Sequence, residues 1–138
     1  ISAVSNRGTL MFRLYRGGLS ILKYLRFIRD LQRDAGHPIV LIVDNLRIHH
    51  ARIVKAWLRK RRNLIRVLYL PAYSPKLNPD ELVNSGLKIA IGQREPAQDR
   101  DELQAQMQEH MVANQRNPEK MQRLFHEESV KYASHMEN

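Results

Sequence analysis

Ile39–Val43 is an unbroken run of five apolar residues closed by Asp44, and Ile65–Leu70 is a second short β-favouring run. A continuous apolar run of this length reads as a strand buried on both faces. Between the two lies a stretch of helical periodicity from about Ala51 to Arg61, which would bury Ile53, Val54, Trp57 and Leu58. Two strands joined through a helix imply parallel pairing, because a parallel partner cannot be reached by a tight turn. In such sheets ligands gather where strands end. Asp44 stands at one such end, and Pro71 follows the other.

The remaining sequence extends this pattern. Ile1–Val4 and Thr9–Leu14 are β-favouring runs linked by Ser5-Asn6-Arg7-Gly8, a hairpin-like turn. After Gly17-Gly18, Ser20 is placed to cap a helix whose apolar stripe is Ile21, Leu22, Leu25, Ile28 and Leu31, with Gly36 as its stop. Further helices are expected near 79–89, 100–114 and 118–126, with 92–98 as linker and a polar tail at the end. The order predicts an α/β fold: a mostly parallel sheet with helices on both faces, after an antiparallel start. The chain divides into a main part, 1–96, and a helical extension of the same domain, 97–138.

Charge narrows the functional classes. The formal net charge is +9 and it is lopsided: residues 1–96 carry 18 Lys/Arg against 6 Asp/Glu, whereas 97–138 carry 5 against 8. Residues 45–79 hold nine Lys/Arg and no acid at all. Concentrated positive charge favours a phosphate backbone, since each neutralised phosphate releases counterions. No apolar stretch reaches the length of a membrane-spanning helix, so no membrane partner is expected. With no cysteine, disulfides and thiolate metal sites are excluded, which fits a cytoplasmic protein.

Few side chains are placed to do chemistry. Asp44 is either a turn-forming Asp or a strand-end carboxylate facing cations. Asn78-Pro79-Asp80-Glu81 has the layout of a capping box, and Asp80 and Glu81 diverge by about 100° on a helix, so spacing leaves open which would face Asp44. His49 and His50 suit phosphate or helix-start contacts better than a shared metal ion. Arg52, Lys55, Arg59, Lys60 and Arg62 lie off the apolar stripe of their segment, and Arg47 and Lys76 flank them as further phosphate contacts. The ring of Tyr73, in the stiff Pro71–Pro75 loop, suits stacking on an unpaired base.

Leu41-Ile42-Val43-Asp44-Asn45 with His49, then Leu70-Pro71-Ala72-Tyr73-Ser74-Pro75-Lys76-Leu77-Asn78-Pro79-Asp80-Glu81 and Leu87-Lys88, resemble the catalytic domain of mariner-like insertion-sequence transposases, members of the acidic-triad DDE superfamily. The resemblance runs from residue 1 to about residue 133. It implies a ribonuclease H-like fold, with the second catalytic and metal-binding acid on Asp44 and the third on Glu81. It further implies Mg²⁺ or Mn²⁺ as cofactor, double-stranded DNA (transposon ends and target) as partner, a homodimer, and a nucleoid-associated place in the cytoplasm. Asn84 stands where many members carry Trp. The family's first aspartate lies on a strand that precedes the one where this chain begins, and no acid occurs before Asp30. The chain is therefore expected to be the carboxyl-terminal part of a catalytic domain, with little activity alone. A non-catalytic basic DNA-binding or dimerisation remnant is the alternative.

Overall fold

The computed structural model describes residues 1–136 and falls into two compact units, residues 1–14 with 79–135 and residues 15–78. In the first unit, β1 (Ser2–Val4) pairs antiparallel with β2 (Leu10–Phe12) in the register Ser2–Phe12, Ala3–Met11 and Val4–Leu10. The hairpin closes as expected: the Gly8 N–H donates to Ser5 O at 3.0 Å and the Ser5 N–H to Thr9 O at 2.9 Å. Gly8 is needed there twice over. Its φ is +92°, and a Cβ would stand 2.3 Å from the carbonyl oxygen of Pro118.

The same unit holds α3 (Pro79–Gly92), α4 (Arg100–Gln115) and α5 (Pro118–Arg123), which runs on into short 3-10 turns at Leu124–His126 and Glu128–His135. Each of the last two helices starts on a side-chain cap, Asp99 accepting from the Glu102 N–H and Asn117 from the Lys120 N–H. Leu10, Phe12, Val83, Met111 and Met121 form one core, so the carboxyl-terminal helices share their interior with the hairpin and α3. Gln115 and Gln122 reinforce this by donating to Leu10 O at 3.0 Å and Arg7 O at 2.9 Å. Two expectations change here. The helix at 79 runs past Ile89 into the expected linker, and the polar tail buries Val130 and Ala133 completely or nearly so.

In the second unit, α1 (Ile21–Ala35) begins at Ser20, whose side chain accepts from the Lys23 N–H, and ends at Gly36 in the left-handed region. β3 (Ile39–Val43) pairs in parallel with β4 (Ile65–Tyr69), from Ile39–Ile65 to Val43–Tyr69, through a crossover containing α2 (Arg52–Arg59). The apolar faces differ in part from the expected ones. Tyr24, Phe27 and Ile28 are the buried residues of α1, while Leu22 is 58% exposed. Leu22 sits about 160° round the helix from Tyr24, outside that arc. On α2, Val54 and Leu58 are buried and Ile53 is 62% exposed. Trp57 is half-buried and covered by the Arg61 guanidinium, 3.8 Å above its ring.

The strands pair as two separate two-stranded sheets, not as one ladder. Nor is the second pair buried on both faces. Ile65 and Leu70 are buried, but Arg66 is exposed and Leu68 is 41% exposed, so β4 alternates as a strand with one open face does.

Candidate functional site

The carboxyl end of β3 carries the most organised polar cluster of the second unit. Val43 anchors the strand in the interior and Asp44 follows it, half-buried. Asp44 Oδ1 accepts from Asn78 Nδ2 at 2.9 Å. Asn78 closes the turn Pro75–Leu77, its own N–H donating to Pro75 O at 3.0 Å. The proline loop is thereby tied back to the strand end. Asp44 Oδ2 receives no hydrogen bond among the described residues.

Past Asp44, residues Arg47–His50 form a 3-10 turn with His49 N–H donating to Leu46 O at 3.1 Å. Two tyrosines hold this turn. Tyr24 Oη lies 2.9 Å from His49 Nδ1, with the rings edge to face at 5.0 Å, and Tyr69 Oη donates to His49 O at 3.2 Å. The Tyr69 ring also stacks on His50 at 4.6 Å, and His50 Nε2 is hydrogen-bonded to Asn45 Oδ1. Burial pushes His49 below the ordinary imidazole range; Asp44 pulls it part of the way back, and His50 lowers it again. Burial, followed by the adjacent Tyr69, holds the Tyr24 phenol well above its ordinary value. Tyr24 is thus a protonated phenol, and His49 a neutral imidazole, at neutral pH.

The start of α3, in the first unit, presents Asp80 and Glu81 to different surroundings. Ser2 Oγ lies 2.8 and 2.9 Å from the two Asp80 carboxylate oxygens, so Asp80 is engaged with β1. Glu81 is half-buried and makes no hydrogen bond or ion pair among the described residues. No cluster of three or more His, Cys, Asp or Glu able to hold a metal occurs among the described residues.

The expected phosphate contacts all fall in the second unit. Arg52, Lys55 and Arg59 lie at helical spacing on α2, with Lys60 and Arg62 just beyond, and all five are exposed. Arg47 and Lys76 are exposed on the two 3-10 turns. None of these seven cations forms an ion pair among the described residues, as expected where the sequence from 45 to 79 supplies no acid. Tyr73 is fully exposed and held at φ +57°. His49, by contrast, is turned partly inward onto Tyr24.

The structure gathers Asp44, Asn45, His49, His50 and Asn78 into one cluster, while Glu81 belongs to the other unit. Three residues around this cluster are given no site role by the sequence. Asn78 reads there as a helix cap, Tyr69 as strand and Tyr24 as ordinary helix. The signal for Tyr24 is its place beside Phe27 and Ile28 on one helical arc, which puts a phenol tip in the interior and in need of a partner.

Residues 1–104 match the family model of the DDE superfamily endonucleases. No curated protein sequence matches the chain significantly. Among solved structures, the chain is similar to the catalytic domain of Mos1 mariner transposase, at 19% identity and a TM-score of 0.64, over 96% of this chain and 72% of that one. The Mos1 catalytic domain with raltegravir and Mg gives the same identity and TM-score over 96% and 73%. The Mos1 mariner paired-end complex with Mn matches at 19% identity and a TM-score of 0.59, over 95% of this chain and 43% of that one. At such identity the likeness speaks for the fold: an α/β, ribonuclease H-like architecture.

Proposed function

The chain belongs to the DDE superfamily endonucleases, and on that premise we propose that it is the part of a DNA transposase catalytic domain that supplies two acids of a divalent-metal site. The observation that carries this reading is Asp44: a carboxylate at the end of a parallel strand, oriented by Asn78 through Oδ1, with Oδ2 unengaged among the described residues. Glu81 is the second acid. Its neighbour Asp80 is occupied by Ser2, whereas Glu81 has no such partner.

The donor chemistry fits Mg²⁺ or Mn²⁺, which take hard carboxylate oxygens and keep positions open for water and substrate phosphates. When bound, such ions activate the attacking oxygen and stabilise the leaving one in phosphodiester transfer. This chain's residues do the rest. Asp44 and Glu81 would hold the ions, and Asn78 orients the Asp44 carboxylate through its hydrogen bond to Oδ1. Arg47, Arg52, Lys55, Arg59, Lys60, Arg62 and Lys76 bind the backbone of double-stranded DNA, transposon end and target alike, and set its register. Tyr73 offers a ring to an unpaired base. Cleavage and joining require a third carboxylate, so residues 1–96 act as part of a catalytic domain, 97–138 extend it, and the assembly works on DNA as a homodimer at the nucleoid.

The exposed cations of α2, which form no ion pair among the described residues, favour a second reading, a basic DNA-holding module without chemistry. One experiment separates the two. Strand cleavage and DNA affinity are measured with Mn²⁺, with and without a supplied amino-terminal fragment carrying a third acid. Asp44→Asn and Glu81→Gln should abolish complemented cleavage while leaving affinity within about threefold, because backbone cations dominate affinity. Appreciable cleavage by Glu81→Gln rejects that residue's assignment. Complementation that never yields cleavage favours the binding module.

A further inference from the structure

We propose that Tyr24 locks His49 in the tautomer that carries its proton on Nε2, making His49 a hydrogen-bond donor to a backbone phosphate oxygen beside Asp44 and not a metal ligand. The inference rests on the proposed function for the identity of the substrate, but not for the tautomer.

The geometry supplies the lock. Only 2.9 Å separates Tyr24 Oη from His49 Nδ1, so one proton lies between them. A phenol is the stronger acid and an imidazole nitrogen the stronger base, so the proton sits on oxygen and is donated to Nδ1. Tyr24 is 4% exposed and offers no alternative acceptor for its hydroxyl among the described residues. Its burial keeps the phenol protonated, consistent with a permanent donor. With Nδ1 accepting, the remaining imidazole proton must reside on Nε2.

Nε2 is open to a ligand. It makes no hydrogen bond among the described residues, yet no buried polar side-chain atom there lacks a partner. Nε2 therefore reaches the surface. The backbone of the same residue is pinned by Tyr69 Oη at its carbonyl and by Leu46 O at its amide, and the ring by Tyr24 Oη at Nδ1. Asp44 is the charged group that favours its protonation, and Arg47, which forms no ion pair among the described residues, lies two residues away on the same turn. A neutral N–H donor on the same turn as an exposed cation suits a non-bridging phosphate oxygen. It does not suit a divalent cation, because Nε2 has no lone pair to give.

The lock is tested on the chain with ¹⁵N-labelled histidine, by long-range ¹H–¹⁵N correlation at neutral pH. His49 should show an unprotonated Nδ1 and a protonated Nε2, and Tyr24→Phe should return it toward a mixed tautomer population. Adding a short oligonucleotide should shift the Nε2 proton, while Mg²⁺ alone should leave it in place. In affinity measurements His49→Ala should weaken oligonucleotide binding by about tenfold, and His49→Gln, which keeps an N–H, by about threefold or less. A protonated Nδ1 in the unsubstituted chain, or loss of the Nε2 proton on adding Mg²⁺, overturns the proposal. Should Tyr24→Phe fail to fold, the tautomer of the unsubstituted chain still decides. The readout needs no cleavage, so failure of the metal-site reading would leave the tautomer result standing.

Discussion

Gly8→Ala should destabilise the chain far more than Gly17→Ala, although both glycines sit at positive φ. Forcing an L-residue into the left-handed region costs about 1–2 kcal/mol at either position. Gly17, at φ +85°, has nothing within 4 Å of the place a Cβ would take, so that cost is the whole effect there. At Gly8 the new Cβ would lie 2.3 Å from Pro118 O and 2.9 Å from its carbonyl carbon. Both are backbone atoms that cannot rotate away, so the hairpin or the start of α5 must move, at a further cost of about 1–3 kcal/mol. Urea unfolding followed by far-ultraviolet circular dichroism separates the cases. With a slope of about 2 kcal/mol per molar urea, the Gly8→Ala midpoint should lie about 1 M below that of Gly17→Ala. Coincident midpoints would refute the close approach of the hairpin to α5, and with it the shared core that carries the start of α3.

Other consequences follow from individual contacts. Val54→Ala, at a fully buried position, should cost about 2 kcal/mol, whereas Ile53→Ala, at 62% exposure, should stay within about 0.5 kcal/mol in the same urea assay. Replacing Arg52, Lys55 and Arg59 together by Ala should reduce the slope of log affinity against log salt for duplex DNA by about 2.7, measured by fluorescence anisotropy across a salt series. Burial depresses His49, and burial with the nearby Lys120 and Arg94 depresses His110. The unfolded chain therefore takes up these protons first, so stability is full above about pH 6.5 and falls as pH drops below it. His49→Gln with His110→Gln should flatten the decline of the urea midpoint between pH 7 and pH 5, and an unchanged decline would contradict the assignment.

The elements themselves were legible wherever periodicity and punctuation agreed. Ser20 and Gly36 bracket α1 as expected, because capping is a local transaction between a side chain and the next turn. What the sequence left obscure is set by contacts distant along the chain. Which arc of α1 is buried depends on what Tyr24 and Phe27 meet, and hydrophobicity alone favours Leu22 wrongly. Leu68 on β4 is 41% exposed, which no property of Leu68 reveals. Asp44 was visible as a strand-end acid, but its orienting partner stands 34 residues later, and the Tyr24 contact to His49 spans 25. Asp80 and Glu81 are equivalent by spacing, and the hydrogen bond from Ser2 to Asp80, 78 residues apart, is a difference in surroundings that spacing does not reveal.

Titrating the chain with Mn²⁺ and following the free ion by electron paramagnetic resonance, for the unsubstituted chain, Asp44→Asn and Glu81→Gln in parallel, bears most directly on the proposal that these two acids bind metal. The account predicts that each substitution weakens Mn²⁺ binding by about tenfold or more, since each removes a proposed anionic oxygen donor. Mn²⁺ affinity indifferent to either substitution would contradict it.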